Sequence, residues 1–286
     1  MSALFGPAGN SQSFHDRGFK SNLDIPGYVK EFGLTAYEYQ CGRGVKISDQ
    51  AAAAFGEAAK KEGITLSLHA PYYISLSSVE EEKRDNSITY ILQSARAAKA
   101  MGAGRIIVHS GSCGKLSREE ALFLAKGTLQ KCVAALEQEG LADQVAVCPE
   151  TMGKVNQLGD LNEVMELCLV DERFIPCIDF GHLNARTFGG IKGAEDYKAI
   201  LDTMENKLGA DRAKRFHAHF SKIQYTDKGG EKMHLTFEDT VYGPEFEPLA
   251  ELIAKRGLSP TIICESAGTQ AEDAAAMMQM YHRYGQ

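Results

Sequence analysis

Residues 174–182 read FIPCIDFGH. An apolar run with the character of a buried strand, Phe174 through Ile178, stops on Asp179 and three residues later reaches His182. Both groups resist burial unless they are partnered. A capped strand end would account for them, and so would a bound ion.

Seven other short runs have strand character: SALF near the start, AYEYQ at 36–40, ITLSLH at 64–69, RIIVHS at 105–110, QVAVCPE at 144–150, RFHAHF at 215–220 and PTIICE at 260–265. Helical periodicity fills the intervals at 48–61, 80–100, 118–138, 161–169, 194–208, 246–255 and 271–284, with a shorter stretch at 28–32. Eight β/α alternations in 286 residues, near the ~250 usual for the fold, predict an α/β protein with a single (β/α)8 TIM barrel over residues 1–286. An open doubly wound sheet is the alternative.

Gly33, Gly63, Gly102 with Gly104, Gly140, Gly209 and Gly257 each stand between a predicted helix and the next strand, as C-caps with short connections do. The connections after strands differ: 111–116, 180–192 and above all 221–242 are long and rich in glycine or polar residues. That asymmetry suits a barrel whose working face is the C-terminal end of its strands.

The chain is 44% hydrophobic and 24% charged, which excludes a disordered protein, and no apolar stretch is long enough to cross a bilayer. The start, MSALFGPAGN, lacks the features of a secretion signal. Seven cysteines with no C-x-x-C pair read as reduced core residues. These features predict a cytoplasmic protein with no membrane contact, and no protein partner is predicted. A net charge of -7 argues against a generally basic, DNA-coating surface, so a nucleic-acid function would need local positive charge or bound cations.

Polar residues collect where the predicted strands end: His69, His109, Glu150, Asp179 and, just behind it, His182, then His217 or His219 in the seventh strand, His234 in the long loop, and Glu265. One histidine at a strand end is more often a hydrogen-bonded core residue than a ligand. Six consecutive strand ends behaving alike is different, because clustered carboxylates repel one another unless cations lie among them. Mixed imidazole and carboxylate donors suit zinc, with Mn or Fe also compatible, and eight candidate ligands are enough for two or three ions. Multi-metal sites of this kind serve phosphoryl transfer.

HAPYYISL at 69–76, VHSGS at 108–112, ETMG after strand five, IDFGH, FHAHFSK at 216–222, the late KMH and ICES resemble, in order, the endonuclease IV family of apurinic/apyrimidinic (AP) endonucleases. The resemblance implies a (β/α)8 barrel with a trinuclear zinc site that acts in base excision repair, hydrolysing DNA on the 5′ side of an abasic site. It assigns His69 and His109 to one zinc and Asp179, His217 and Glu265 to a second. Glu150 bridges them as the catalytic carboxylate, and His182 and His234 go to a third. It also gives Tyr72 and Tyr73 the place of an aromatic pair that displaces the abasic nucleotide, and Arg43 that of an arginine that enters the DNA.

Two departures stand out. The family's Asp-x-His for the third zinc is here Lys232-Met233-His234, and its His-x-Asn-Asp after strand seven becomes His217-Ala218-His219-Phe220. Period two cannot separate His217 from His219; the following Ser221-Lys222 favours His217. For the third site, Glu231 or Asp227 could replace the missing ligand, Lys232 could bind the substrate phosphate in place of an ion, or the site could be lost; the tripeptide favours the last two. The competing function is a sugar isomerase or epimerase of the xylose-isomerase-like type, with one divalent metal on Glu150, Asp179, His217 and Glu265. A third reading is a metal-bearing binder of DNA lesions without turnover, against which the intact Glu150 argues.

Overall fold

The computed structural model describes residues 2–285. Its strands are β1 Leu4–Pro7, β2 Ala36–Gln40, β3 Thr65–His69, β4 Arg105–Val108, β5 Ala146–Pro149, β6 Cys177–Asp179, β7 His217–Phe220, β8 Ile223–Thr226, β9 Gly230–His234 and β10 Thr261–Cys264. All but β8 and β9 pair in parallel, in two four-stranded sheets ordered β1-β10-β7-β6 and β2-β3-β4-β5. Single bridges, Ala8 with Glu38 and Glu150 with Cys177, join the two sheets edge to edge. The result is the eight-stranded α/β barrel that the alternation predicts.

Side chains alternate across the barrel wall. Leu66, Leu68, Ile106, Val108, Val147, Ile178, Phe220 and Ile262 belong to the main core with the surrounding helices, whereas Ile107, Cys148, Ile175 and Cys177 form a separate cluster. That second set lies inside the barrel. Barrel interiors are usually filled by Val, Ile and Leu, but here buried Glu38, Ser67, His217 and His219 share the interior.

The helices Asp49–Glu62, Glu81–Met101, Arg118–Gln138, Leu161–Cys168, Ala194–Leu208, Glu247–Lys255 and Gln270–His282 follow the predicted periods closely. Ser117 and Asp160 start two of them with capping boxes, each reciprocated by a glutamate three residues on. Gly63 and Gly102 end two others in the left-handed region, each at φ 72°.

Four segments differ from the expectation. The stretch 221–242 is not a plain loop, because β8 and β9 pair in it as an antiparallel hairpin. The stretch 180–192 opens with a helix, Phe180–Arg186, capped by Asp179. Gly209 leads into a short helix, Ala210–Lys214, before β7. The first β/α unit carries two further short helices, Gln12–Asp16 and Asn22–Asp24, ahead of Ile25–Glu31. Polar and glycine-rich composition hid the hairpin, since its strands are too short and too exposed to show apolar alternation.

Barrel closure between β1 and β2 leaves no room at Gly6, where an added Cβ would lie 1.8 Å from the Ala36 carbonyl oxygen. Gly6→Ala should therefore destabilise the protein by about 3 kcal/mol or more, measured as a fall in the denaturation midpoint; an unchanged midpoint would show that the seam is not this tight.

Candidate metal centre

Consecutive strands deliver the polar residues to one rim. His69 ends β3, His109 follows β4, Glu150 follows β5, Asp179 ends β6, His219 lies in β7 and Glu265 follows β10. Glu150, fully buried, is central. Its Oε1 pairs with His219 Nδ1 at 2.8 Å, while Oε2 lies 3.1 Å from His109 Nε2 and 3.4 Å from His69 Nε2 with no hydrogen-bonded partner.

Asp179 divides its two oxygens. Oδ1 accepts the backbone N–H of His182 at 2.7 Å, capping the helix that follows. Oδ2 is buried without a hydrogen bond, although His182 Nδ1 is 3.1 Å away. Atoms that converge at hydrogen-bond distance without hydrogen-bond direction face a common centre, as ligands of an ion do, and orphaned buried oxygens demand such an explanation. Cap and ion are therefore compatible at this strand end.

Ligand atoms fall into overlapping groups whose members lie within 4.8 Å of one another: His69, His109 and Glu150; Glu150, Asp179, His219 and Glu265; and His182, His234 and Glu265. Three imidazoles are already oriented from behind. His69 Nδ1 pairs with the Ala70 carbonyl at 2.8 Å, His182 Nδ1 with the Thr151 carbonyl at 2.9 Å and His234 Nδ1 with the Ser221 hydroxyl at 2.8 Å. Proton placement on Nδ1 leaves Nε2 as the donor atom, the arrangement seen behind metal-bound histidines. Imidazole and carboxylate donors in this number fit borderline divalent ions such as zinc.

Without ions, charge balance falls to the histidines. Burial works to lower His69, but the Glu150 carboxylate outweighs it and raises the pKa to about 9. His182 is likewise lowered by burial and carried to about 9 by Asp179, Glu231 and Glu150. Burial pushes Asp179 up to about 7, opposed by His182 and assisted by Glu265 and Glu150. Burial would also raise Glu150, yet His219, His109 and His69 hold it well below the usual carboxylate range.

The expectation for His217 is corrected by strand register. His219, not His217, pairs in register with Asp179 on β6, so it stands at the rim facing Glu150 and Glu265. His217 lies one layer deeper, in register with Cys177, and hydrogen-bonds Glu38 Oε2 through Nε2 at 3.0 Å. Glu38 itself was missed by sequence reasoning; a lone acidic residue in the middle of the aromatic strand AYEYQ was its only signal.

Lys232 faces away from the histidines. In the hairpin, Gln224 pairs with Met233 and Tyr225 with Glu231, so Lys232 is the extra residue of a β-bulge, and it is exposed. In a regular strand, residues three apart face opposite sides. The bulge turns Glu231 and His234 to the same side, where Glu231 Oε2 is 3.5 Å from His182 Nε2 and Oε1 is 4.0 Å from His234 Nε2. Gly153 leaves the space for this, since a Cβ there would meet Glu231 Cβ at 2.6 Å.

Tyr72 and Tyr73, half exposed, form an edge-to-face pair with ring centroids 5.7 Å apart. They pack beside Gly42 and Gly44, and the Tyr72 N–H donates to the Gly42 carbonyl at 3.3 Å, so exposed Arg43 stands next to them at the rim.

A family model described as xylose isomerase-like TIM barrel matches residues 26–281. The chain belongs to that family. Within it, an uncharacterized protein, MJ0133 of Methanocaldococcus jannaschii, is 34% identical over 98% of this chain and 97% of its own length. A probable endonuclease 4 of Mycoplasma pneumoniae is 29% identical, but the match covers 54% of this chain and only 52% of that protein. Solved structures of this xylose isomerase-like fold include a D-tagatose 3-epimerase-like protein, with TM-score 0.72, 18% identity and coverage of 99% and 98% of the two chains. Endonuclease IV from Thermus thermophilus superposes with TM-score 0.69, 19% identity and 98% coverage of both chains. At such identities the structural likeness concerns the fold alone.

The raised histidines of this family member give a pH dependence with a definite sign. His69 and His182 contribute stability that is complete below their unfolded value near 6.5 and lost as pH rises to about 9. The stability of chelator-treated protein should therefore fall between pH 6.5 and 9 by as much as about 1.4 kcal/mol per pH unit per group, read as a falling melting temperature. Divalent ion should flatten the dependence, since a bound imidazole is neutral. A flat profile in the chelated protein would contradict the charge assignment.

Proposed function

We propose that this protein is a metal-dependent AP endonuclease, hydrolysing the DNA phosphodiester 5′ to an abasic site. The observation that carries the reading is the set of imidazoles beyond a four-ligand centre: His69 and His109 against Glu150, and His182 and His234 against Glu231 and Glu265. A sugar isomerase with one divalent metal has no use for them. Glu150, Asp179, His219 and Glu265 alone would serve that second reading, with His219 replacing His217, and the grouping of those four within 4.8 Å is what favours it.

The relatives named endonuclease 4 support the DNA reading, and so does the distribution of charge. Although the net charge is -7, Arg43, Lys46, Lys115, Lys154, Lys192, Lys228 and Lys232 all sit in segments that follow barrel strands, on the face that carries the metal-ligand groups. These cations are interspersed with exposed Asp227, Glu238 and Glu245, so contact with backbone phosphates would be local to the cationic segments and salt-sensitive. Among the described residues no helix is long and apolar enough to cross a membrane.

Zinc, or Mn or Fe in its place, held as three ions would supply Lewis acidity toward the phosphate and a water of lowered pKa. Glu150 would orient that water through the carboxylate that His69, His109 and His219 surround. Arg43 with Tyr72 and Tyr73 forms the wedge that holds the displaced abasic nucleotide. Glu231 supplies the acidic ligand of the third ion, and Lys232, turned outward by the bulge, meets DNA rather than metal.

The decisive experiment is incision of an end-labelled duplex containing one abasic site, with and without chelator. Chelator-sensitive cleavage on the 5′ side is expected, with Glu150→Gln slowing it by about 10³-fold or more while duplex binding is retained. No incision, together with turnover of a ketose by the same preparation, would replace this reading with the isomerase.

Metal analysis tests the third site separately. Glu231→Ala should lose one equivalent of ion, and Lys232→Ala none; equal ion content in both variants would remove Glu231 from the ligand set.

A further inference from the structure

We propose that Glu38, backed by His217, is a positioning residue for the metal centre: it keeps a proton on His219 Nε2, so that Nδ1 presents its lone pair to the rim. The inference rests on the metal-centre part of the functional reading and not on the identity of the substrate. Glu38 lies inside the barrel with no solvent exposure, where a carboxylate is unfavourable unless it is partnered. Its Oε2 accepts hydrogen bonds from Ser67 Oγ at 2.9 Å and His217 Nε2 at 3.0 Å. Its Oε1 accepts Gln40 Nε2 at a longer 3.2 Å, and His219 Nε2 stands 3.0 Å away.

His219 differs from its neighbours in which nitrogen faces the rim. His69, His182 and His234 each anchor Nδ1 on a carbonyl or hydroxyl behind them. His219 turns Nδ1 toward Glu150 and Glu265, at 2.8 and 3.5 Å, so its anchor must act on Nε2. An ionised carboxylate only accepts. On this proposal the nitrogen 3.0 Å from Glu38 Oε1 carries the proton, and when an ion binds, the proton that leaves for solvent is the one on Nδ1. The contact between Nε2 and Oε1 is short but not aligned as a hydrogen bond.

His217 holds Glu38 in turn. Its Nδ1 is buried without a hydrogen-bonded partner, so the ring serves as a donor to Glu38 alone. Cys177, His217 and His219 also offer ligand atoms within 4.8 Å of one another, and an interior ion there is the rival explanation of the same residues.

The test uses full-length protein stripped of metal and reloaded with zinc or cobalt. Nitrogen-15 spectra of the zinc-loaded wild type should show His219 protonated on Nε2; a proton on Nδ1, or none on Nε2, overturns the proposal without any variant. Glu38→Gln keeps the shape and removes the charge. It should weaken ion binding by roughly 10–100-fold and shift the cobalt ligand-field spectrum, with the fold intact by circular dichroism. Unchanged affinity and spectrum in a folded Glu38→Gln protein would sink the idea. So would a cobalt-thiolate charge-transfer band that disappears in Cys177→Ser together with one equivalent of ion, which would establish the interior ion instead. Failure of the wild type to bind any ion would be a distinct outcome, since it removes the metal centre itself.

Discussion

Carboxylates cannot be gathered in a barrel interior without positive charge, and that constraint organises this molecule. Glu38, Glu150 and Asp179 are fully buried, Glu265 lies beside them, and the imidazoles of six histidines are distributed among them. Metal ions meet the same demand with fewer protons. The orphaned oxygens of Glu150 and Asp179 show which part of the balance the histidines leave incomplete, because both atoms have imidazole nitrogens at hydrogen-bond distance and a hydrogen bond to neither. A rim built only for stability would have used the branched aliphatic residues that fill most barrels of this type.

The fold was legible because its signals are local and repeated. Eight apolar runs and glycine C-caps such as Gly63 and Gly102 are each a one-dimensional pattern. The polar residues of the rim were legible for the same reason: His69, Glu150, Asp179 and Glu265 each terminate or directly follow an apolar run. What failed needed information from a neighbouring strand. His217 and His219 point the same way from β7, and only the pairing of Asp179 with His219 says which stands at the rim. Glu38 was unreadable because an acidic residue flanked by two tyrosines fits a half-exposed strand as well as a barrel interior; its partners Ser67, His217 and His219 come from two other strands.

The hairpin shows how one residue of register changes the chemistry of a site. By the family resemblance, Lys232 occupies the place of an acidic ligand, and it either binds the substrate phosphate in place of an ion or marks a lost third site. A bulge at that residue moves the alternation by one, so the acidic neighbour Glu231 faces His182 while the lysine faces solvent. Gly153, the bridge between Lys154 and Gly230, and the Glu231 N–H donated to the Gly153 carbonyl at 3.1 Å hold the hairpin in this position. The departure in sequence is thus balanced by a departure in backbone, and the two are intelligible only together.

Barrels of this type carry different reactions on one architecture, so the likeness of this fold to both an epimerase-like protein and an endonuclease says little about the substrate. Discrimination has to come from what each reaction needs. Proton transfer on a sugar needs one ion and flanking acids or bases, which Glu150, Asp179, His219 and Glu265 can provide. Displacement at phosphorus adds charge to oxygens on both sides of the reacting atom, and cationic groups spread across several ångströms are the matching feature. His69 and His109 on one flank of Glu150, and His182 with His234 on the other, extend the centre in two directions at once. That breadth, more than any single residue, is the feature on which the proposal of a phosphodiester over a sugar rests.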